Sequence, residues 1–271
     1  MNPNLDSPDF TQVRAEIAAG ALFVVNHSGG KDSQAMLIKM LSLVPIGQIL
    51  VVHATLGEAE WPGALEHAQQ QAEAAGVPFV VAQAVKTFFE IVEHRFKVRP
   101  GPNSPCWPSA SNRQCTSDLK RGPIEREVRR YAKAHGFLHI VSCMGLRAQE
   151  SPRRAKAMPW QLNERQSIAG RTWHEWLPIH ELSTVEVLTT VADASQQLHP
   201  AYALGNERLS CVFCIMSSAS DLRNGAQQNP ELYARYVEIE RRTGYTMHMS
   251  RKSLPEITGI SPEGVTVQHT R

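Results

Sequence analysis

Nowhere in this 271-residue chain does an apolar run approach the roughly eighteen residues that a membrane-spanning helix needs. The first twenty residues also lack the basic-then-apolar pattern of a secretory signal. Together these absences predict a cytoplasmic chain with no membrane partner. An excess of one charge is missing too: 28 basic and 26 acidic residues leave a net charge of +2. That is too little to imply nucleic-acid binding by itself. Five cysteines do not suggest a disulfide scaffold at this length, and in a reducing compartment clustered ones point to metal ligands or catalytic thiols. No internal repeat and no low-complexity tract is present. What remains, 42% apolar and 20% charged, is the balance of a globular protein able to bury one large core or two small ones.

The densest chemistry lies between Phe23 and Ser33. An apolar run, Phe23-Val24-Val25, reads as a buried strand and feeds the turn Ser28-Gly29-Gly30, after which a helical pattern starts near Lys31. Two glycines allow a tight turn and present main-chain N–H groups to an anion without side-chain hindrance. The helix adds the positive end of its dipole and Lys31 a formal charge, while Ser28 and Ser33 offer hydroxyls. This is phosphate-binding chemistry. It is not a Walker A loop, whose spacing is Gly-x-x-x-x-Gly-Lys-Ser/Thr.

The rest of the chain places that loop in an α/β protein. Gln48 to Ala54 and Phe137 to Cys143 are near-continuous apolar runs of the kind found in central parallel strands, and Val77 to Ala82 reads as a further strand. Helical patterns over Pro62 to Gly76, Lys86 to Arg95, Arg121 to His135, Thr184 to Leu198 and Pro230 to Arg242 alternate with or follow them. The alternation predicts a doubly wound, mostly parallel sheet with a small C-terminal helical lobe. Trp176 to Ile179 reads as a short strand, and residues 157–173 as an irregular, mobile flap. Met36 and Met40 fall at helical spacing and read as core. Arg126, Arg129, Arg130 and Lys133 read as a solvated face, and His180 and His199 as packing or capping residues.

Four blocks, Ser28 to Ser33, Cys115 to Lys120, Gly145 to Ser151 and Tyr202 to Cys214, make residues 20–220 resemble the PAPS reductase-like branch of the PP-loop ATP pyrophosphatases. Within that branch the chain is most similar to the ATP pyrophosphatase subunits of DNA phosphorothioation systems and their phage relatives. The resemblance implies an adenine nucleotide alpha hydrolase-like fold, with an N-terminal arm over 1–20, the nucleotide domain over 21–220 and a helical extension over 221–271. It implies ATP and Mg2+ as ligands, and cleavage between the α and β phosphates to adenylate an acceptor. Ser28, Gly29, Gly30, Lys31, Asp32 and Ser33 would cradle the β and γ phosphates. Asp32 would stand near Mg2+ or serve as a first-turn helix residue. Gly145 and Arg147 would lie at the α-phosphate, with Glu150 holding Arg147, the metal or only a loop salt bridge. His53 and Thr55, at the end of the second strand, would frame the adenosine. Lys31, Asp32 and Arg147 are the expected catalytic residues.

The resemblance further implies a DNA backbone phosphate as acceptor and a cysteine desulfurase as sulfur donor, with other modification subunits as partners. Sulfonucleotide (PAPS/APS) reduction and tRNA thiolation are the alternative enzymatic readings; a non-catalytic nucleotide-binding scaffold is the alternative of another class. Sulfonucleotide reductases carry a late Glu-Cys-Gly-Leu-His segment, and no cysteine follows Cys214 here, which argues against reduction. Cys211 and Cys214 form a Cys-x-x-Cys pair, with Cys106 and Cys115 upstream. Four such thiolates could hold a [4Fe–4S] cluster or a Zn2+ ion, and without a metal the pair could be redox-active or carry sulfur. The tandem cysteines of iron–sulfur APS reductases are absent, since Gln114 precedes Cys115, so Cys106 would have to be the fourth ligand. Cys143, at a strand end, reads as core.

Overall fold

The structure is a computed structural model that describes residues 8–98, 101, 104–209 and 211–262. The expected N-terminal arm up to residue 7 and the tail from residue 263 lie outside the described residues. In chain order come α1 (Pro8–Ala18), β1 (Leu22–Asn26), α2 (Lys31–Leu43), β2 (Ile49–Thr55), α3 (Ala64–Ala74), β3 (Phe79–Gln83) and α4 (Phe88–Val98). A single helical turn, α5 (Gln114–Thr116), widens into a π-turn over Ser117–Arg121 and continues as α6 (Gly122–His135). Then follow β4 (His139–Cys143), the short α7 (Pro152–Ala155), β5 (Trp160–Leu162), β6 (Thr172–Trp176) and α8 (Thr184–Asp193). The chain closes with α9 (Ala219–Gln228), α10 (Pro230–Thr243) and α11 (Leu254–Thr258).

These elements divide between two units. The first comprises residues up to Ala54, Ala64–Ala82 and Ile124–Leu198. Its six-stranded sheet has the order β3-β2-β1-β4-β6-β5. β1 pairs in parallel with β2 and β4, and β4 in parallel with β6; the edge strand β5 runs antiparallel to its neighbour β6. Alternation along β1 sends Phe23 and Val25 to one face, where they pack with Met36 and Met40 of α2 and Val187 and Val191 of α8. Leu22 and Val24 go to the other, against Val128 and Ala132 of α6. Helices therefore cover both faces, and the doubly wound, mostly parallel sheet expected from the sequence is the observed fold. The winding reverses between β1 and β4, which places a topological switch point at the C-terminal ends of those two strands.

Two local expectations are corrected. Trp176 to Ile179 is not a strand; the strand is β6, Thr172–Trp176, and it ends where one was expected to begin. Its sequence, Thr-Trp-His-Glu-Trp, hides it because only Trp173 and Trp176 are buried, one on each face. Residues 157–173 are not an irregular flap either. They contain β5 and the start of β6, and the turn between them is tied to α6. The buried Glu125 carboxylate accepts two hydrogen bonds from Arg165 at 2.9 Å each and one from Gln166 at 2.8 Å. Arg129 reaches the Gln166 side chain at 2.9 Å, and Arg171 the Gln166 carbonyl at 2.9 Å.

The second unit, Thr55–Gly63, Gln83–Pro123 and His199 onward, is built around aromatic side chains. Tyr236 of α10 stacks on Trp107 at a centroid distance of 5.6 Å and meets Phe89 edge-on at 4.9 Å and Phe213 at 5.0 Å. The Arg235 guanidinium covers Phe89 at 3.8 Å. Glu240, buried on the same helix, accepts the main-chain N–H groups of Met247 (2.6 Å) and Leu254 (2.9 Å), fixing the segment that leads to α11. Trp107 comes from the proline-rich stretch that the sequence marks as an unusually long loop, and its indole N–H donates to the Tyr245 carbonyl at 2.9 Å.

Two outcomes follow from the first unit. Glu125→Ala should lower stability by about 1–3 kcal/mol, because it strands the buried Gln166 amide. Thermal melting reads the loss, and limited proteolysis should cut first within 163–171. Burial, with His53 and His67 nearby, holds the His27 pKa down from 6.5 to about 3. The folded pKa lies below the unfolded one, so the unfolded chain binds the extra proton. The contribution is complete above about pH 6.5 and is lost as pH falls toward 3, by about 1.4 kcal/mol per pH unit. His174 of the same unit, and His199 of the second, are lowered in the same sense. Acid unfolding of a His27→Asn variant should therefore take up about one proton fewer than the parent.

Candidate functional site

At the switch point, the ends of β1 and β4 are stitched together by one side chain. Asn26, the last residue of β1, donates from Nδ2 to the Ser142 hydroxyl at 3.0 Å and to the Cys143 carbonyl at 2.7 Å. The next residue, His27, continues the sheet: its N–H donates to the Val52 carbonyl at 2.9 Å. Its own carbonyl accepts from Nδ1 of the fully buried His53 at 2.9 Å.

From there the chain turns through Ser28, Gly29 and Gly30. Gly29 takes a φ of +77°, and a Cβ there would stand 2.6 Å from the Ala64 carbonyl oxygen. Both facts require glycine. The turn satisfies much of itself. The Gly29 N–H donates to His27 Nδ1 at 3.1 Å, the Ser28 N–H to the Ser33 hydroxyl at 3.2 Å, and that hydroxyl donates back to the Gly30 carbonyl at 2.8 Å. Helix α2 then begins at Lys31 with Gly30 as its N-cap, and no side chain caps it. An uncapped N-terminus carries outward-directed N–H groups and about half a positive charge.

The charged residues gather there. Lys31 is 6% exposed, with its ammonium 3.4 Å from Asp32 Oδ2. Arg147, 3% exposed, donates from Nε to Asp32 Oδ1 at 2.6 Å. Its Nη1 is held by the Gln149 side chain at 3.1 Å and the Leu182 carbonyl at 3.2 Å. Gly145 lets this loop approach, since a Cβ would lie 3.3 Å from the Asp32 main chain. Glu150 accepts the Arg147 main-chain N–H at 3.0 Å and pairs with Arg154, so it caps a turn.

Of the expected site residues, the structure brings together Ser28, Gly29, Gly30, Lys31, Asp32, Ser33, Gly145, Arg147 and Glu150. His53 is present beneath the loop, not beside an open surface: it braces the His27 carbonyl. Thr55 belongs to the second unit, where its hydroxyl accepts from the Gly57 N–H at 3.2 Å. Asp32, expected beside Mg2+, has one carboxylate oxygen turned to Arg147 and the other to Lys31. This arrangement does not fit a directly bound magnesium ion. The sequence reading missed Asn26, His27 and Gln149. The first two sit inside the stretch it singled out, but nothing in their identity announces a brace.

The cysteines lie in the second unit, apart from the buried Cys143 of β4. Cys115, Cys211 and Cys214 influence one another electrostatically, with the Lys120 ammonium close to Cys115 and Cys211. Burial pushes the Cys211 thiol up to about 12, more than Lys120 draws it down, and it raises Cys115 as well. Cys106 is not with them. It is buried beside the Thr243 hydroxyl, with Arg95 and Glu93 as its charged neighbours. Among the described residues, no group of three or more His, Cys, Asp or Glu is arranged to hold a metal ion. The four-thiolate set of Cys106, Cys115, Cys211 and Cys214 is therefore not assembled, and neither a [4Fe–4S] cluster nor Zn2+ on four cysteines fits this arrangement.

Similarity to known proteins covers most of the chain. A protein of Escherichia phage 186, described as an uncharacterized 37.8 kDa protein in the gpa 5' region, is 28% identical over 135 residues. That match takes in 50% of this chain and 39% of the phage protein, so the chain spans about two-fifths of that relative. Among solved structures, PAPS reductase from Candida auris matches with a TM-score of 0.49 at 12% identity, over 76% of this chain and 89% of that one. The NH3-dependent NAD synthetase of Campylobacter jejuni gives 0.41 at 13% identity, over 95% of both. The U34-tRNA thiolase NcsA of Methanococcus maripaludis, solved with its [4Fe–4S] cluster, gives 0.39 at 11%, over 96% of this chain and 90% of that one. The phosphoadenosine phosphosulfate reductase domain matches residues 23–217, well over half of the sequence, and the chain belongs to that family.

Proposed function

We propose that the chain is an ATP pyrophosphatase that adenylates an acceptor in sulfur incorporation. The observation that carries this reading is the uncapped N-terminus of α2, with Lys31 buried beside it and a glycine turn in front. Such an end binds a polyanion through main-chain N–H groups and a fixed charge. Magnesium enters as part of the MgATP substrate, not as a resident ion on Asp32.

In the reaction an acceptor oxygen attacks the α-phosphorus, the bond to the bridging oxygen breaks, and pyrophosphate leaves with that oxygen. Lys31 and the first-turn N–H groups of α2 hold the β and γ phosphates and stabilise the charge that grows on the leaving group. Asp32 keeps Lys31 and Arg147 in place before ATP arrives. Arg147 then acts chiefly as a clamp, joining the loop after β4 to the start of α2. Adenylation turns a poor oxygen leaving group into a good one, AMP, which sulfur can then displace from the acceptor. A DNA backbone phosphate is the acceptor, and a cysteine desulfurase the sulfur source, that the resemblance to phosphorothioation subunits favours.

Three measurements test this. The anaerobically purified chain should release pyrophosphate and AMP from MgATP, and DNA with a sulfide source should stimulate release; ADP and phosphate as products would sink the reading. Turnover of a sulfonucleotide without ATP cleavage would replace it by the reductase alternative. Lys31→Ala should fold normally and lose about 10²–10³-fold in kcat, the usual effect of removing one donor to a developing anion. Arg147→Lys should lower stability by about 1–3 kcal/mol, since one ammonium cannot replace three guanidinium contacts. Unchanged melting with a collapsed kcat would instead put Arg147 on the α-phosphate.

A further inference from the structure

The loop contains a buried titratable group that this mechanism does not use. His27 is 2% exposed, lies between the end of β1 and the glycine turn, and is pinned on three sides. Its N–H is tied to Val52 of β2, its carbonyl to His53, and its ring Nδ1 to the N–H of Gly29. Because Gly29 donates, Nδ1 must be the unprotonated nitrogen and the proton sits on Nε2. Nε2 faces the Gln71 carboxamide of α3, and among the described residues neither group completes a hydrogen bond there. The ring's Nδ1 also lies 3.5 Å from the Ser33 hydroxyl, so both of its contacts go to the phosphate loop.

We propose that His27 is a positioning residue of that loop: its neutral imidazole holds the Gly29 N–H inward and so decides which main-chain donors face the anion. The argument is a count of donors. The Ser28 N–H is taken by Ser33 and the Gly29 N–H by His27. The donors left to face outward are then the Gly30 N–H and those of the first turn of α2, which no side chain caps. The geometry is that of an Asx turn, in which a side-chain acceptor reaches the N–H two residues on and fixes a tight turn. Imidazole Nδ1 stands as many bonds from the backbone as an Asn Oδ1 does, so it can close the same ring. A protonated ring would point a donor at a donor and release Gly29. Burial and the neighbouring His53 and His67 oppose that protonation.

The inference rests on the phosphate-binding reading, and the experiment separates the two. Inorganic pyrophosphate binding to the full chain is measured by calorimetry for the parent, His27→Asn, His27→Gln and His27→Leu, with thermal melts alongside. Gln carries its acceptor one carbon too far to close the turn, and Leu carries none. Both should weaken pyrophosphate about tenfold, the value of one ordered hydrogen bond, while Asn should stay within about threefold of the parent. Equal affinity in Asn, Gln and Leu, whether all weak or all at the parent value, would overturn the assignment. Should Leu fail to fold, the Asn–Gln comparison decides alone. A parent that binds no pyrophosphate would instead remove the phosphate reading itself.

Discussion

Everything at the candidate site turns on the carboxylate of Asp32. One half-buried anion holds two nearly buried cations, Arg147 at 2.6 Å and Lys31 at 3.4 Å. Burial beside the positive end of α2 penalises unpaired cations heavily, and the Asp32 carboxylate offsets that penalty for both. The same pair also does structural work, because Asp32 belongs to α2 and Arg147 to the loop after β4. It therefore ties together the two chain segments that leave the sheet at its switch point, as Asn26 does one layer below through Ser142 and Cys143.

How much of this could be read beforehand depended on whether a residue's role was set by its neighbours in sequence or by partners far away. β1, β2 and β4 were legible because strands buried on both faces need unbroken apolar runs, and the glycine turn was legible because Gly29 and Gly30 answer a backbone requirement. Lys31 to Ser33 followed from the same local logic. Arg147 was found as a residue near the site, but its main contact lies 115 positions away, and no local pattern distinguishes a clamp from a phosphate contact. β6 escaped because a strand carrying His174 and Glu175 shows neither clean alternation nor an apolar run. The segment 157–173 looked loose for a related reason. Its polarity is a hydrogen-bonded network around Glu125 and Gln166, and composition alone cannot tell a satisfied network from a solvated loop.

The cysteines show the same limit. A Cys-x-x-Cys pair is local and was read as a unit, whereas the choice of further partners is a matter of tertiary placement. Cys115 joins Cys211 and Cys214; Cys106 does not, being enclosed in the core that Trp107 and Tyr236 build. Burial is the largest influence on two of the three that meet. It holds the Cys115 and Cys211 thiols in their protonated form, against the pull of Lys120. A protonated thiol is a poor nucleophile and a poor ligand.

The phosphate loop itself follows a different rule from a flexible anion trap. Its Ser28 and Gly29 N–H groups and its Ser33 hydroxyl are already bonded within the turn, so little rearrangement is needed to form the turn when an anion arrives. Fixed donors of this kind stabilise developing charge without reorganisation, which is the main source of electrostatic catalysis. The arrangement also restricts where the anion can sit. On the proposed reading, with the Ser28 and Gly29 N–H groups turned inward, the anion meets the first turn of α2 beside Lys31. A diphosphate would suit that proposed site, with one phosphate at the helix end and the next at the lysine. The β1 turn is thus built less as a cradle of glycine N–H groups than as a rigid step into the uncapped end of α2.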